Sequence, residues 1–112
     1  MFYKRKEIFR YTFGSPLEAE LKMGDENGSC RMIDISPGGA KVFSDNQLTK
    51  GMEVVMQFVL MQDTITAPGK VVWKQASHEG ALYGIDFNED EKLEEQIISQ
   101  LKFRRRNEIS TK

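Results

Sequence analysis

The chain has no apolar run approaching the ~20 residues that a membrane-spanning helix needs. Its longest, Val54 to Met61, is already interrupted by Gln57, so insertion into a membrane is not expected. Cys30 is the only cysteine, which excludes an intramolecular disulfide and fits a reducing compartment. A lone thiol in a strand-like stretch reads as a small buried residue rather than a reactive group. His78 is the only histidine and falls in a polar turn. A hydrolytic triad needs an imidazole beside its nucleophile and a metal site needs several ligands together, so neither an enzyme nor a metal centre is expected. Met1 to Arg10 lacks the apolar core of a secretory signal, which points to the cytoplasm.

Charge of one sign is also missing in excess, since the formal net charge is −1. The distribution is uneven, with Lys4, Arg5, Lys6 and Arg10 at one end and Lys102, Arg104, Arg105 and Arg106 at the other. Asp86, Glu89, Asp90, Glu91, Glu94 and Glu95 form an acidic block between them. Long nucleic acid is bound through many phosphate contacts along a basic face, which this pattern does not offer. A small dianion gripped at a basic end fits better.

At 112 residues, 39% hydrophobic and 29% charged, the chain has the composition of one globular domain. Leu17, Ala19, Leu21 and Met23 alternate with Glu18, Glu20 and Lys22, the period of a half-buried strand. Asp25 to Gly28 reads as a hairpin turn, followed by strands over Ser29–Ile35, Ala40–Ser44, Glu53–Met61, Thr64–Lys74 and Ala81–Phe87. Pro68-Gly69 predicts a bulge or an edge in the fifth strand. Trp73, on the same strand, reads as a core aromatic rather than a base-stacking platform. At Asn88 the period changes. Asn88 with Glu91 predicts a capping box, and Leu93, Ile97, Ile98 and Leu101 predict a helix over about 89–105, with residues 107–112 as a loose tail.

The densest chemistry lies in Asp34-Ile35-Ser36-Pro37-Gly38-Gly39. Asp34 and Ser36 are two apart, so in a strand both side chains leave from one face. Pro37-Gly38 predicts a type II turn with positive φ at Gly38, and Gly39 offers bare backbone to a ligand. This Asp-x-Ser-x-x-Gly turn follows a basic arm, Lys4 to Arg10, by the length of about two strands. Together with Lys70-Val71-Val72-Trp73, Tyr83-Gly84-Ile85-Asp86-Phe87 and an amphipathic helix, it resembles the PilZ domain, a bacterial receptor for cyclic di-GMP. The arm matches the family's Arg-x-x-x-Arg at Arg10 and departs from it at Lys6, with Arg5 one place off register.

The resemblance implies a mainly all-β fold, a six-stranded antiparallel barrel over residues 12–106 with its C-terminal helix, and a flexible basic arm over residues 1–11. It implies no cofactor, and cyclic di-GMP as ligand on Arg5, Lys6, Arg10, Asp34, Ser36, Gly38 and Gly39. A guanidinium fork at Arg10 suits the O6 and N7 acceptors of guanine, and the Asp34 carboxylate suits the N–H donors on guanine's other edge. Arg5, Lys6 and Ser36 suit phosphate, and Arg5 could equally stack on a base. Ligand would order the arm and create a surface for a protein partner, in a monomeric or homodimeric receptor. Two alternatives stay open: a degenerate adaptor of this family that binds proteins but no nucleotide, and a small barrel for single-stranded nucleic acid.

Overall fold

Alternating apolar residues make each strand amphipathic, and a sheet of such strands can hide all its apolar faces by closing on itself. The computed structural model describes residues 10–110, with side chains through Arg106. It has strands β1 (Tyr11–Met23), β2 (Glu26–Ser36), β3 (Gly39–Ser44), β4 (Glu53–Val59), β5 (Thr64–Ser77) and β6 (Gly80–Phe87), then helix α1 (Glu91–Ser110). The strands close into a barrel in the order β1-β2-β3-β6-β5-β4, and every neighbouring pair is antiparallel. The expected mainly-β barrel with a C-terminal helix is thus the observed fold.

Leu21, Met32, Val42, Met56, Ile65, Val71 and Ile85 fill the interior. Leu93, Ile97 and Leu101 of α1 join the same core, each burial worth about 1.5–3 kcal/mol. Polar contacts pin the helix to the chain leaving β4. The guanidinium of Arg104 donates to the Leu60 carbonyl at 2.7 Å, and the Met61 amide donates to Gln100 Oε1 at 3.2 Å. Arg104 also stands over the rings of Tyr11 and Phe13, at 5.9 and 5.2 Å from their centroids. No helix among the described residues is long and apolar enough to cross a membrane.

Several local expectations are corrected. β1 starts at Tyr11 rather than Leu17, because the chain bulges through Gly14-Ser15-Pro16 and resumes pairing at Leu17. Tyr11 is buried and paired with Ile35, so it belongs to the barrel and not to the arm. The first hairpin turns at Gly24-Asp25, with Met23 opposite Glu26 and Gly24 at φ 67°; Asn27 and Gly28 lie within β2. Pro68 and Gly69 pair regularly with Val55 and Val54, and the β5 bulge falls later, at Val72. Asp90, not Asn88, caps α1: its carboxylate accepts the amides of Lys92 and Leu93 at 3.0 and 3.3 Å. The Asn88 amide is instead held by the Pro68 carbonyl at 2.8 Å, which keeps Asn88 on the barrel. The helix continues to Ser110, into the expected tail, so the cations at 102–106 lie before its last turn.

Candidate functional site

The site is built by a bulge. In β2, Met32 pairs with Val42 and Asp34 with Lys41, so Ile33 is an extra residue without a partner on β3. An extra residue reverses the inward-outward alternation beyond it. Ile35 therefore returns to the core, fully buried opposite Ala40. Asp34 and Ser36, its neighbours on either side, take the outer face together, as their spacing required.

Asp34 meets Arg10 there. Arg10 Nη1 donates to Asp34 Oδ1 at 2.8 Å, with the arginine side chain 48% exposed and the carboxylate side chain 12% exposed. The two residues expected to read opposite edges of a guanine are thus adjacent, a sheltered acid capped by a cation facing water. Arg5 and Lys6 lie outside the described residues.

The Ser36-Pro37-Gly38-Gly39 bend is a two-residue hairpin loop closed by the Ser36–Gly39 pair. Among the described residues positive φ occurs at Gly24 and Gly51 and not at Gly38, so the expected type II turn, which needs positive φ there, is not formed. Ser36 is buried, and its hydroxyl donates across the bend to the Gly39 carbonyl at a long 3.4 Å. The Gly38 carbonyl accepts the Phe87 amide at 2.8 Å, fastening the loop to the end of β6. Gly39 has a structural reason of its own. A Cβ there would stand 2.4 Å from the Ile85 carbonyl oxygen, so β3 and β6 approach across bare backbone.

Register extends the site sideways. Asp34 is opposite Lys41, Lys41 is opposite Gly84, and Gly84 is opposite Trp73, one row across four strands. In the next row Ser36 is opposite Gly39, Gly39 opposite Asp86, and Asp86 opposite Lys70. Lys41 and Lys70 therefore add cations to the face that carries Arg10. Sequence reasoning missed both lysines, since only the pairing across β3, β6 and β5 places them there. Trp73 is not a core aromatic: it is 40% exposed and rests on Gly84, where an added Cβ would lie 2.1 Å from its Nε1.

The residues considered for chemistry elsewhere behave as read. Cys30 is buried in β2, and desolvation, with the nearby Glu18 charge, pushes its thiol up to about 12. A thiol held neutral in this way is a poor nucleophile. His78 sits with Glu79 in the exposed β5–β6 turn.

The sequence matches the PilZ domain family over residues 3–104. The fold is similar to the PilZ domain of YcgR from Escherichia coli, solved with c-di-GMP, at TM-score 0.70 and 18% identity, over 96% of this chain and 98% of that one. It is similar also to the Bacillus subtilis inhibitor of motility MotI/DgrA, at TM-score 0.71 and 15% identity, over 98% of this chain and 54% of that one. Apo MrkH of K. pneumonia matches at TM-score 0.69 and 17% identity, over 100% of this chain and 56% of that one. The chain thus spans about half the length of the last two. At these identities the likeness is one of fold. The comparison with curated proteins finds no match.

Proposed function

The chain belongs to the PilZ family, and from that premise we propose that it is a cytoplasmic receptor, not an enzyme, that binds cyclic di-GMP on the outer face of β2, β3 and β6. One observation carries the reading: the Arg10 fork and the Asp34 carboxylate stand 2.8 Å apart, at the matched arm position and the matched turn. Guanine presents two acceptors on one edge and N–H donors on the other. A fork and a carboxylate side by side supply both complements, and the carboxylate selects guanine over adenine. Gly38, Gly39 and Ser36 form the rim of the bend, and Lys41 joins Arg5 and Lys6 as a source of positive charge for the phosphates.

Signalling follows as ligand-driven ordering of the arm, which presents a new surface to a protein partner. Order parameters of residues 3–9 test that step: a rise on binding is expected, and equal values with and without nucleotide refute it. Lys6 favours a second reading, an adaptor that has lost the nucleotide, because an ammonium cannot make the planar two-pronged contact of a guanidinium.

Calorimetric titration with cyclic di-GMP, beside GTP and a short single-stranded oligonucleotide, separates the readings. Saturable heat with cyclic di-GMP alone is expected. Heat with none of the three supports the adaptor and refutes the receptor, and heat with the oligonucleotide alone refutes both.

A further inference from the structure

Helix α1 hides one side and shows the other. Leu93, Ile97 and Leu101 enter the core, while Gln100 and Arg104 reach the chain leaving β4. At about 100° per residue, the side turned away from these carries Glu95, Ile98, Ser99, Lys102, Phe103 and Arg106. The six line one open groove of about 410 Å³. All but the half-buried Ile98 are exposed, and Phe103, at 43%, is the most exposed aromatic among the described residues. The outer side of a surface helix is ordinarily polar, so an isoleucine and a phenylalanine there call for a cover.

The order of charges along this side says what the cover is. The acid Glu95 comes first, and the bases Lys102 and Arg106 come last. A second α1 running the same way in register would set like charges against each other. One running the opposite way sets opposite charges together, and the spacing suits it. Measured from the midpoint between Gln100 and Leu101, Glu95 lies as far to one side as Arg106 to the other, Ile98 as far as Phe103, and Ser99 as far as Lys102. A two-fold axis at that midpoint brings each Glu95 level with an Arg106 and each Ile98 level with a Phe103, with the small Ser99 beside the crossing. A two-fold interface requires such a self-complementary patch. Opposed helix dipoles favour the same arrangement.

We propose that the outer face of α1 is a self-association surface, on which a second copy of the chain docks antiparallel about a two-fold axis level with the Gln100–Leu101 bond. Three helical turns, about 16 Å, are too short to bury the ~1,600 Å² of a standard interface, so the dimer is a weak one. None of the six residues lies on β2, β3 or β6, so the inference is independent of the nucleotide reading.

Sedimentation equilibrium of the full chain, from about 10 µM to about 1 mM to suit a weak interface, tests it. A monomer–dimer equilibrium is expected. Glu95→Arg and Arg106→Glu should each raise the dissociation constant roughly tenfold or more, because each turns both symmetry-related ion pairs into like-charge pairs. Mixed in equal amounts, the two variants should regain wild-type association, since the arginines of one then meet the glutamates of the other. Phe103→Ala should weaken the dimer roughly tenfold as well. A wild type that stays monomeric at ~1 mM overturns the proposal. Wild-type association in both charge variants places the interface elsewhere and overturns it too, and single variants that weaken without recovery on mixing overturn the antiparallel geometry. Should a variant fail to fold, amide shifts of the wild type on dilution decide: changes centred on Ile98, Ser99, Lys102 and Phe103 support the proposal, and changes elsewhere overturn it.

Discussion

Arg10→Ala and Asp34→Ala should differ in stability while agreeing in binding. The pair joins a carboxylate side chain 12% exposed to a guanidinium side chain 48% exposed. Because the cation faces water, the pair itself contributes at most about 1 kcal/mol, in the range of surface ion pairs. Removing Asp34 leaves a guanidinium that water solvates readily, so Asp34→Ala should lower stability by less than about 1 kcal/mol. Removing Arg10 takes a charge 2.8 Å away from a sheltered carboxylate, and Arg10→Ala should cost more, about 1–3 kcal/mol. Neither side chain belongs to the apolar core, so both variants should fold. For cyclic di-GMP each should lose about 1–3 kcal/mol of affinity, roughly five- to 150-fold, because each removes contacts to one guanine edge. Urea melts give the stabilities and calorimetry the affinities. Equal wild-type binding in both variants refutes the site. A larger stability loss for Asp34→Ala than for Arg10→Ala refutes the account of which partner is sheltered.

Gly39→Ala should destabilise the barrel by about 1–3 kcal/mol, since its Cβ would stand 2.4 Å from the Ile85 carbonyl oxygen; a thermal melt unchanged from wild type would contradict this. Asp90→Ala should cost about 1 kcal/mol by removing the acceptor of two helix amides, and Asn88→Ala less; the reverse order in urea melts would restore Asn88 as the cap. Cys30 makes stability fall with rising pH. Its folded pKa is raised from 9.0 to about 12, so the unfolded chain releases the proton first. Its contribution is fully present below about pH 9 and is lost progressively toward pH 12, by up to about 1.4 kcal/mol per unit. Urea melts across that range should fall more steeply for the wild type than for Cys30→Ala, and parallel curves would refute the burial argument. Lys6→Arg should tighten cyclic di-GMP binding by about 1 kcal/mol by restoring the fork; calorimetry showing no gain, together with an Arg5→Ala loss as large as that of Arg10→Ala, would place Arg5, not Lys6, in that position.

The barrel was legible because alternation is a direct record of which side of a sheet is buried. Strands such as Glu53–Val59, with Val54, Met56 and Phe58 inward, follow their sequence pattern closely. Bulges defeat the same logic. Met32, Asp34 and Ser36 share sequence parity with each other, yet the extra residue at Ile33 puts the last two on the opposite face from the first. The second bulge, in β5, overturns the core reading of Trp73, since a regular strand running on from buried Val71 would place it inside until Val72 is skipped. The Asp-x-Ser-x-x-Gly turn could be read as chemistry from sequence, whereas the place of Lys41 and Gly84 in the same row as Asp34 depends on register between strands far apart in the chain. At turns and caps, neighbouring residues offered equivalent chemistry. Gly24 took the left-handed position of the first hairpin in place of Gly28, and Asp90 took the helix start from Asn88, which the Pro68 carbonyl holds on the barrel.

The most direct measurement is a map of backbone amide shifts as unlabelled cyclic di-GMP is added to the isotope-labelled full chain. If one face binds the nucleotide, Asp34, Ser36, Gly38, Gly39, Lys41, Gly84 and Trp73 should shift together along a single saturating curve. Glu20, Gln57 and Thr66, on the strands β1, β4 and β5 across the barrel, should stay in place. Shifts confined to that opposite group, or no saturable shift at all, would contradict a nucleotide site at Asp34.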